Sequence, residues 1–158
     1  MKQITIGFSK AKSPMAFGSQ IIRLFMNTPY SHVYLKFYSP TLDRVLIYEA
    51  VGSGVRFIGS IAWSQHAEEV ASFPLQICNS SYLQLMQYCI DNAGRKYGFL
   101  QNIGVALSYV FKEKFNRFKE GKNCSEVIAD ILEMEGIKID IEKNLITPKD
   151  VYNRLSTL

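Results

Sequence analysis

The hydrophobic period of this chain changes part-way along, and that change limits the folds open to it. Up to Ile77 short strand-like runs prevail, clearest where Gln3 to Phe8 alternates at every second position, while from Asn79 onward apolar residues recur mainly at steps of three and four. The short period marks a half-buried strand and the longer one an amphipathic helix. Gln3 to Phe8 sets Ile4, Ile6 and Phe8 on one face and Thr5 and Gly7 on the other. His32 to Phe37 is rich in β-formers and bounded by Ser39-Pro40. Arg44 to Val51 follows the turn Pro40-Thr41-Leu42-Asp43, and Gly52-Ser53-Gly54 leads into Val55 to Ile58. These three runs predict an antiparallel meander. Val70 to Ile77 reads as a further strand, and Pro74, which cannot donate to a ladder, places it at an edge or a break.

The helical signals are equally local. Phe17 to Met26 carries Ile21, Ile22 and Phe25 at helical spacing and stops at Asn27-Thr28-Pro29. Asn79-Ser80-Ser81 offers N-caps to a helix whose apolar face is Tyr82, Leu85, Met86 and Cys89, with Gly94 as its stop. Phe99 to Phe118 is apolar at its start and basic at its end. Cys124 to Glu135, entered through Lys122 or Asn123, has a stripe of Val127, Ile128, Ile131 and Leu132 and a stop at Gly136. Thr147-Pro148-Lys149-Asp150 opens a last helix, with threonine as cap, proline at the first helical position and an acid in the first turn. The pattern predicts one α+β domain over residues 1–158, a small antiparallel sheet with helices packed on one side.

Composition narrows the function classes. The 158 residues are 47% apolar and 20% charged, an ordinary globular balance. The net charge of +4 permits weak attraction to anions, but no dense basic stripe of the kind a nucleic-acid binder presents is found. Lys112, Lys114, Arg117, Lys119 and Lys122 are interrupted by Glu113 and Glu120 and read as the solvated face of a helix. Three cysteines at irregular spacing make neither a disulfide framework nor a metal or redox CxxC pair. No metal or cofactor is expected. The N-terminal run lacks a long apolar segment of the signal-peptide type, and no apolar run approaches the ~20 residues that cross a bilayer. The expectation is a cytoplasmic protein.

Cys124 is the first candidate for chemistry. It falls just inside a predicted helix N-terminus, where unpaired N–H groups and the helix dipole favour an anion. Such a setting lowers a thiol pKa and can also donate to a developing oxyanion. The competing reading is a small buried hydrophobe. Cys89, on the apolar stripe of its helix, and Cys78, at a strand end, read as core. Of the two histidines, His66 lies in a polar run and reads as surface, whereas His32 opens a strand that would hold its ring rigidly. Glu49 shares a strand face with Ile47 and Val51. A carboxylate on an apolar face needs a partner, and an imidazole on the neighbouring strand would supply one. The alternative is an edge-strand glutamate facing water.

Taken together, Tyr30-Ser31-His32-Val33-Tyr34-Leu35, Tyr48-Glu49-Ala50, Lys96-Tyr97-Gly98, Asn123-Cys124-Ser125-Glu126-Val127-Ile128 and Thr147-Pro148-Lys149-Asp150 resemble the circularly permuted NlpC/P60 papain-like superfamily, in particular its YiiX/YebB-like branch of small bacterial and phage proteins. The resemblance implies a permuted papain-like fold, with Cys124 as nucleophile, His32 as base and Glu49 as the residue orienting it. It implies that Tyr97, Asn123 and Ser31 line the substrate or oxyanion side, and that Glu126 and Ser125 are structural. The implied activity is a cysteine peptidase or amidase working through a thioester on a peptide or other acyl-bearing substrate, cell-wall peptides included. A lipid acyl hydrolase, acyltransferase or thioesterase with the same triad is the rival reading. The segment 99–119 is then a candidate for peripheral membrane contact. A catalytically silent binding module is the third reading.

Overall fold

The computed structural model describes residues 1–13, 17–96 and 122–158. Five strands form one antiparallel sheet: β1 (Lys2–Ala11), β2 (His32–Ser39), β3 (Arg44–Val51), β4 (Gly54–Gly59) and β5 (Ala67–Ile77). Their order is β4-β3-β2-β1-β5. The expected meander is present as β2-β3-β4, and its turns fix the register. Gly52-Ser53 closes a hairpin that pairs Val51 with Gly54, Ala50 with Val55 and Glu49 with Arg56. β5 lies at the edge, as Pro74 requires, and pairs with β1. Phe8 faces Ala71 and Ser9 faces Glu69, so Val70 is the extra residue of a bulge.

The helices are α1 (Phe17–Met26), α2 (Ser60–Ser64), α3 (Asn79–Asn92), α4 (Cys124–Met134) and α5 (Pro148–Leu155). One sheet face carries the main core. Ile4, Ile6, Phe8, Val33, Leu35, Tyr48 and Ala50 meet Leu85 and Cys89 of α3, Val127, Ile128, Ile131 and Leu132 of α4, and Val151 and Leu155 of α5. All four residues of the α4 stripe are at most 1% exposed. α4 rests directly on β2 and β3. Gly94 and Gly136 (φ 83° and 75°) end α3 and α4 in the left-handed region that glycine tolerates best.

Three local expectations are corrected. Helices do not all pack on one side: α2, which carries no period long enough to be read from sequence, covers the second face. There Trp63 packs with Tyr34 and Ile47, its ring 4.6 Å from that of Tyr34. Cys78 is exposed and outside the core. It, and none of the residues 79–81, caps α3, its sulfur accepting from the Ser81 N–H. In α1, Phe25 is 44% and Leu24 79% exposed, while Met26 is buried. The run Phe99 to Phe118 lies outside the described residues.

Gly7 shows how tightly the second face is packed. It pairs with Tyr34, and a Cβ built on it would fall within the Tyr34 ring atoms. Gly7→Ala is expected to destabilise the protein by about 1–3 kcal/mol, the usual penalty of overpacking. Urea unfolding checks this. A Tyr34→Leu background should recover part of the loss, and an unchanged penalty there would contradict the packing argument.

Candidate active site

The site forms where the start of β2 meets the N-terminus of α4. The Ser31 N–H donates to the Ser9 carbonyl (3.0 Å), which ties the residue before His32 to β1. His32 therefore enters the sheet from a fixed point, and its side chain remains 17% exposed. His32 and Glu49 lie on the sheet face opposite the main core, the face of Tyr34 and Ile47.

Glu49 is 3% exposed and its two oxygens are shared among three donor groups. Oε2 lies 3.0 Å from His32 Nε2 and accepts from Trp63 Nε1 at 3.2 Å. Oε1 accepts from Arg56 Nε at 3.0 Å and Nη2 at 2.8 Å. Burial pushes the Glu49 carboxyl upward, but hydrogen bonding and the charge of His32, then of Arg56, overcome it and hold the pKa near 2. Glu49 thus stays ionised.

Cys124 is the first residue of α4 and is 6% exposed. Asn123 caps the helix through a reciprocal box: its Oδ1 accepts from the Glu126 N–H, and Glu126 Oε2 accepts from the Asn123 N–H, both at 2.9 Å. Asn123, Ser125 and Glu126 are all buried, and the box fixes the turn that presents the thiol. Burial raises the Cys124 pKa, but the charge and hydrogen bond of His32, the Val33 N–H and Ser125 reverse the shift and lower it. For His32, burial disfavours the cation, while Cys124 and then Glu49 raise its pKa to about 10. Glu49 engages Nε2. The arrangement can hold a thiolate beside an imidazolium, with a fixed carboxylate behind the ring.

The other sequence candidates are scattered around this group. Ser31 lines the adjoining cavity, its hydroxyl 2.5 Å from that of Ser19. Tyr97 lies outside the described residues. His66 is exposed, yet it also lines the cavity, which has a volume of about 330 Å³. Sequence reasoning missed Arg56 and Trp63. Arg56 was within reach, because counting back across the Gly52-Ser53 hairpin pairs it with Glu49. Trp63 gave no such signal, since α2 is too short to show a period. Among the described residues no cluster of histidine, cysteine and acid side chains is arranged to hold a metal. No described helix is long and apolar enough to cross a membrane.

Fold and site together define an α+β protein with a coupled thiol, imidazole and carboxylate. A scan against protein-family models finds no family that matches the chain, and a search of curated proteins finds no match.

The Glu49 environment predicts an acid limb of stability. Its folded pKa of about 2 lies below the unfolded value of ~4.3. A depressed acid contributes stability above the unfolded value and loses it as pH falls through the folded one. Wild type should therefore lose this contribution between pH ~4.3 and ~2, whereas Glu49→Gln lacks that component. At neutral pH, Glu49→Gln should cost roughly 1–3 kcal/mol through mispaired donors. Urea midpoints measured across this range for both proteins test the sign.

Proposed function

We propose that this chain is a cysteine hydrolase of permuted papain-like fold that cleaves an amide through a Cys124 thioester. The observation that carries the reading is the pairing of a buried, ionised Glu49 with His32, which is in turn coupled to a helix-capped Cys124. Core cysteines and histidines do not need each other. Here each holds the other in its charged form, and perturbation of this kind is what nucleophilic catalysis requires.

In the proposed cycle the Cys124 thiolate attacks the carbonyl carbon, forming the C–S bond. As the tetrahedral adduct collapses, the C–N bond breaks and the His32 imidazolium gives its proton to the leaving amine. Neutral His32 then takes a proton from water as the water oxygen adds to the thioester carbon. The thiolate leaves, and the acid product departs with the ion pair restored. Glu49 stabilises the imidazolium and fixes the ring without taking the proton. The rate should fall on the acid side as the thiolate is protonated and on the alkaline side as His32 titrates, near 10.

Cys124→Ala is expected to abolish turnover of a peptide or acyl-amide substrate found by library screening, with its circular dichroism spectrum retained. His32→Ala should reduce kcat by roughly 10²–10⁴-fold. An acyl-enzyme mass adduct should form on the wild type and be missing from Cys124→Ala. Wild-type turnover by Cys124→Ala would sink the mechanism.

A lipid acyl hydrolase or acyltransferase using the same residues is the second reading. It is favoured by the exposed Leu24 and Phe25 of α1, the helix whose Ser19 and Ile22 line the cavity. The sequence segment 99–119 that first suggested membrane contact lies outside the described residues. Co-sedimentation with anionic vesicles, weakened by Leu24→Ser/Phe25→Ser, is the expected result under this reading; no co-sedimentation by the wild type counts against it.

A further inference from the structure

A second recess borders the cavity beside His32. Ala11 and Ser19 line both, and the second has a volume of about 310 Å³. The two differ in character. Next to His32 the wall is largely apolar, with Ile22, Val51, Trp63 and three alanines. The second recess carries Lys10, Lys12 and Arg23 against a single acid, Glu68.

The bases of this recess are not equally committed. Lys10 pairs with Glu68 at 3.1 Å. Lys12 is held by a neutral group, the Ser64 carbonyl, at 2.6 Å. Arg23 has no ion-pair partner among the described residues, and its Nε is buried without a hydrogen-bond acceptor. A buried donor left without an acceptor costs free energy, and a guanidinium is built to take two oxygens in one plane. Its place in the last turn of α1 gives favourable dipole interaction, but that does not supply an acceptor for Nε.

We infer that this basic recess is a subsite for an anionic group, a carboxylate or a phosphate, borne by an acyl substrate whose reacting carbonyl sits beside His32. The inference rests on the cysteine hydrolase reading and extends it to substrate class. Arg23 is the main contact for the anion, and Lys12 adds charge. The apolar cavity between them takes the uncharged stretch that separates the anion from the scissile bond. The substrate is thus an amphiphilic amide or thioester with a charged handle on one side.

The test uses the full chain and bromoacetamides of ω-amino alkanoic acids of increasing length, each compared with its uncharged primary amide. The reacting end is the same throughout, so only the remote charge varies. Labelling of Cys124 is followed by intact-protein mass spectrometry in a Cys78→Ser background. At one chain length the acid should label about tenfold more efficiently than its amide, the scale of a single charge-assisted contact. Arg23→Gln should bring that ratio to about one, and Arg23→Lys should restore part of it. A ratio near one at every length in the Arg23 protein, or a preference that survives Arg23→Gln, overturns the subsite.

A second arm separates this inference from the hydrolase reading. The Arg23 Nε–H resonance is followed by NMR during titration with glutarate and with inorganic phosphate. Saturable movement supports the subsite even where no probe labels Cys124, in which case it is the hydrolase reading that fails. No response to either anion overturns the subsite even where Cys124 labels normally. The stronger of the two responses identifies the handle as carboxylate or phosphate.

Discussion

A buried carboxylate governs the arrangement of this site. Taking an ion out of water costs several kcal/mol, and the loss is offset only when the remaining lone pairs find donors in good geometry. Glu49 meets that condition through three elements. His32 comes from β2, Arg56 from β4 and Trp63 from α2. The carboxylate therefore sets the orientation of the imidazole and also ties the edge strand and the short helix to the sheet. Arg56 remains 42% exposed, so its charge is partly screened. The buried contributions of His32 and Trp63 make the stronger demand on geometry.

The two faces of the sheet divide the work. The main core under α3, α4 and α5 is apolar and continuous, and it positions the N-terminus of α4 against β2. The opposite face carries a small cluster around Trp63 and, beside it, the polar group of His32, Glu49 and Arg56. A thiol from one layer and an imidazole from the other come together here at element starts, where the backbone passes between layers. His32 is the first residue of β2 and Cys124 the first of α4. Both are held by polar contacts just upstream, the Ser31–Ser9 bond on one side and the Asn123–Glu126 box on the other. Rigid approach from two fixed points is what a site of this kind needs.

Much of this was legible because it was local. The meander followed from turn residues and strand period, α4 and α5 from caps and stripes, and the edge position of β5 from one proline. Glu49 was legible as a carboxylate on an apolar strand in need of a partner. What escaped was non-local or too short to have a period. α2 has five residues, fewer than two helical turns, so Trp63 left no pattern. Cys78 was read as core because it ends a strand, yet a strand end is also where a helix cap can sit, and its sulfur took that role. How far α1 is covered was not legible for a different reason. Amphipathic spacing shows that a helix has an apolar side, not that the fold covers it. Phe25 and Leu24 remain largely in the open.

The three cysteines show why the identity of a residue says so little about its chemistry. Cys89 is wholly buried, and burial alone drives its thiol far above the ordinary range. Without a nearby positive group it is a small hydrophobe. Cys78 is exposed at a helix start, where Ser80, Ser81 and a backbone N–H lower it to about 7. Among the described residues its sulfur's hydrogen-bond partners are two serine hydroxyls and a backbone N–H, none of them a base. Cys124 is nearly as buried as Cys89, and burial opposes its ionisation too, but the His32 charge outweighs that penalty. A helix N-terminus alone therefore does not single out Cys124, since Cys78 has one as well. The distinguishing feature is a cation kept charged by a second buried ion, and it comes from pairing β2 with β3.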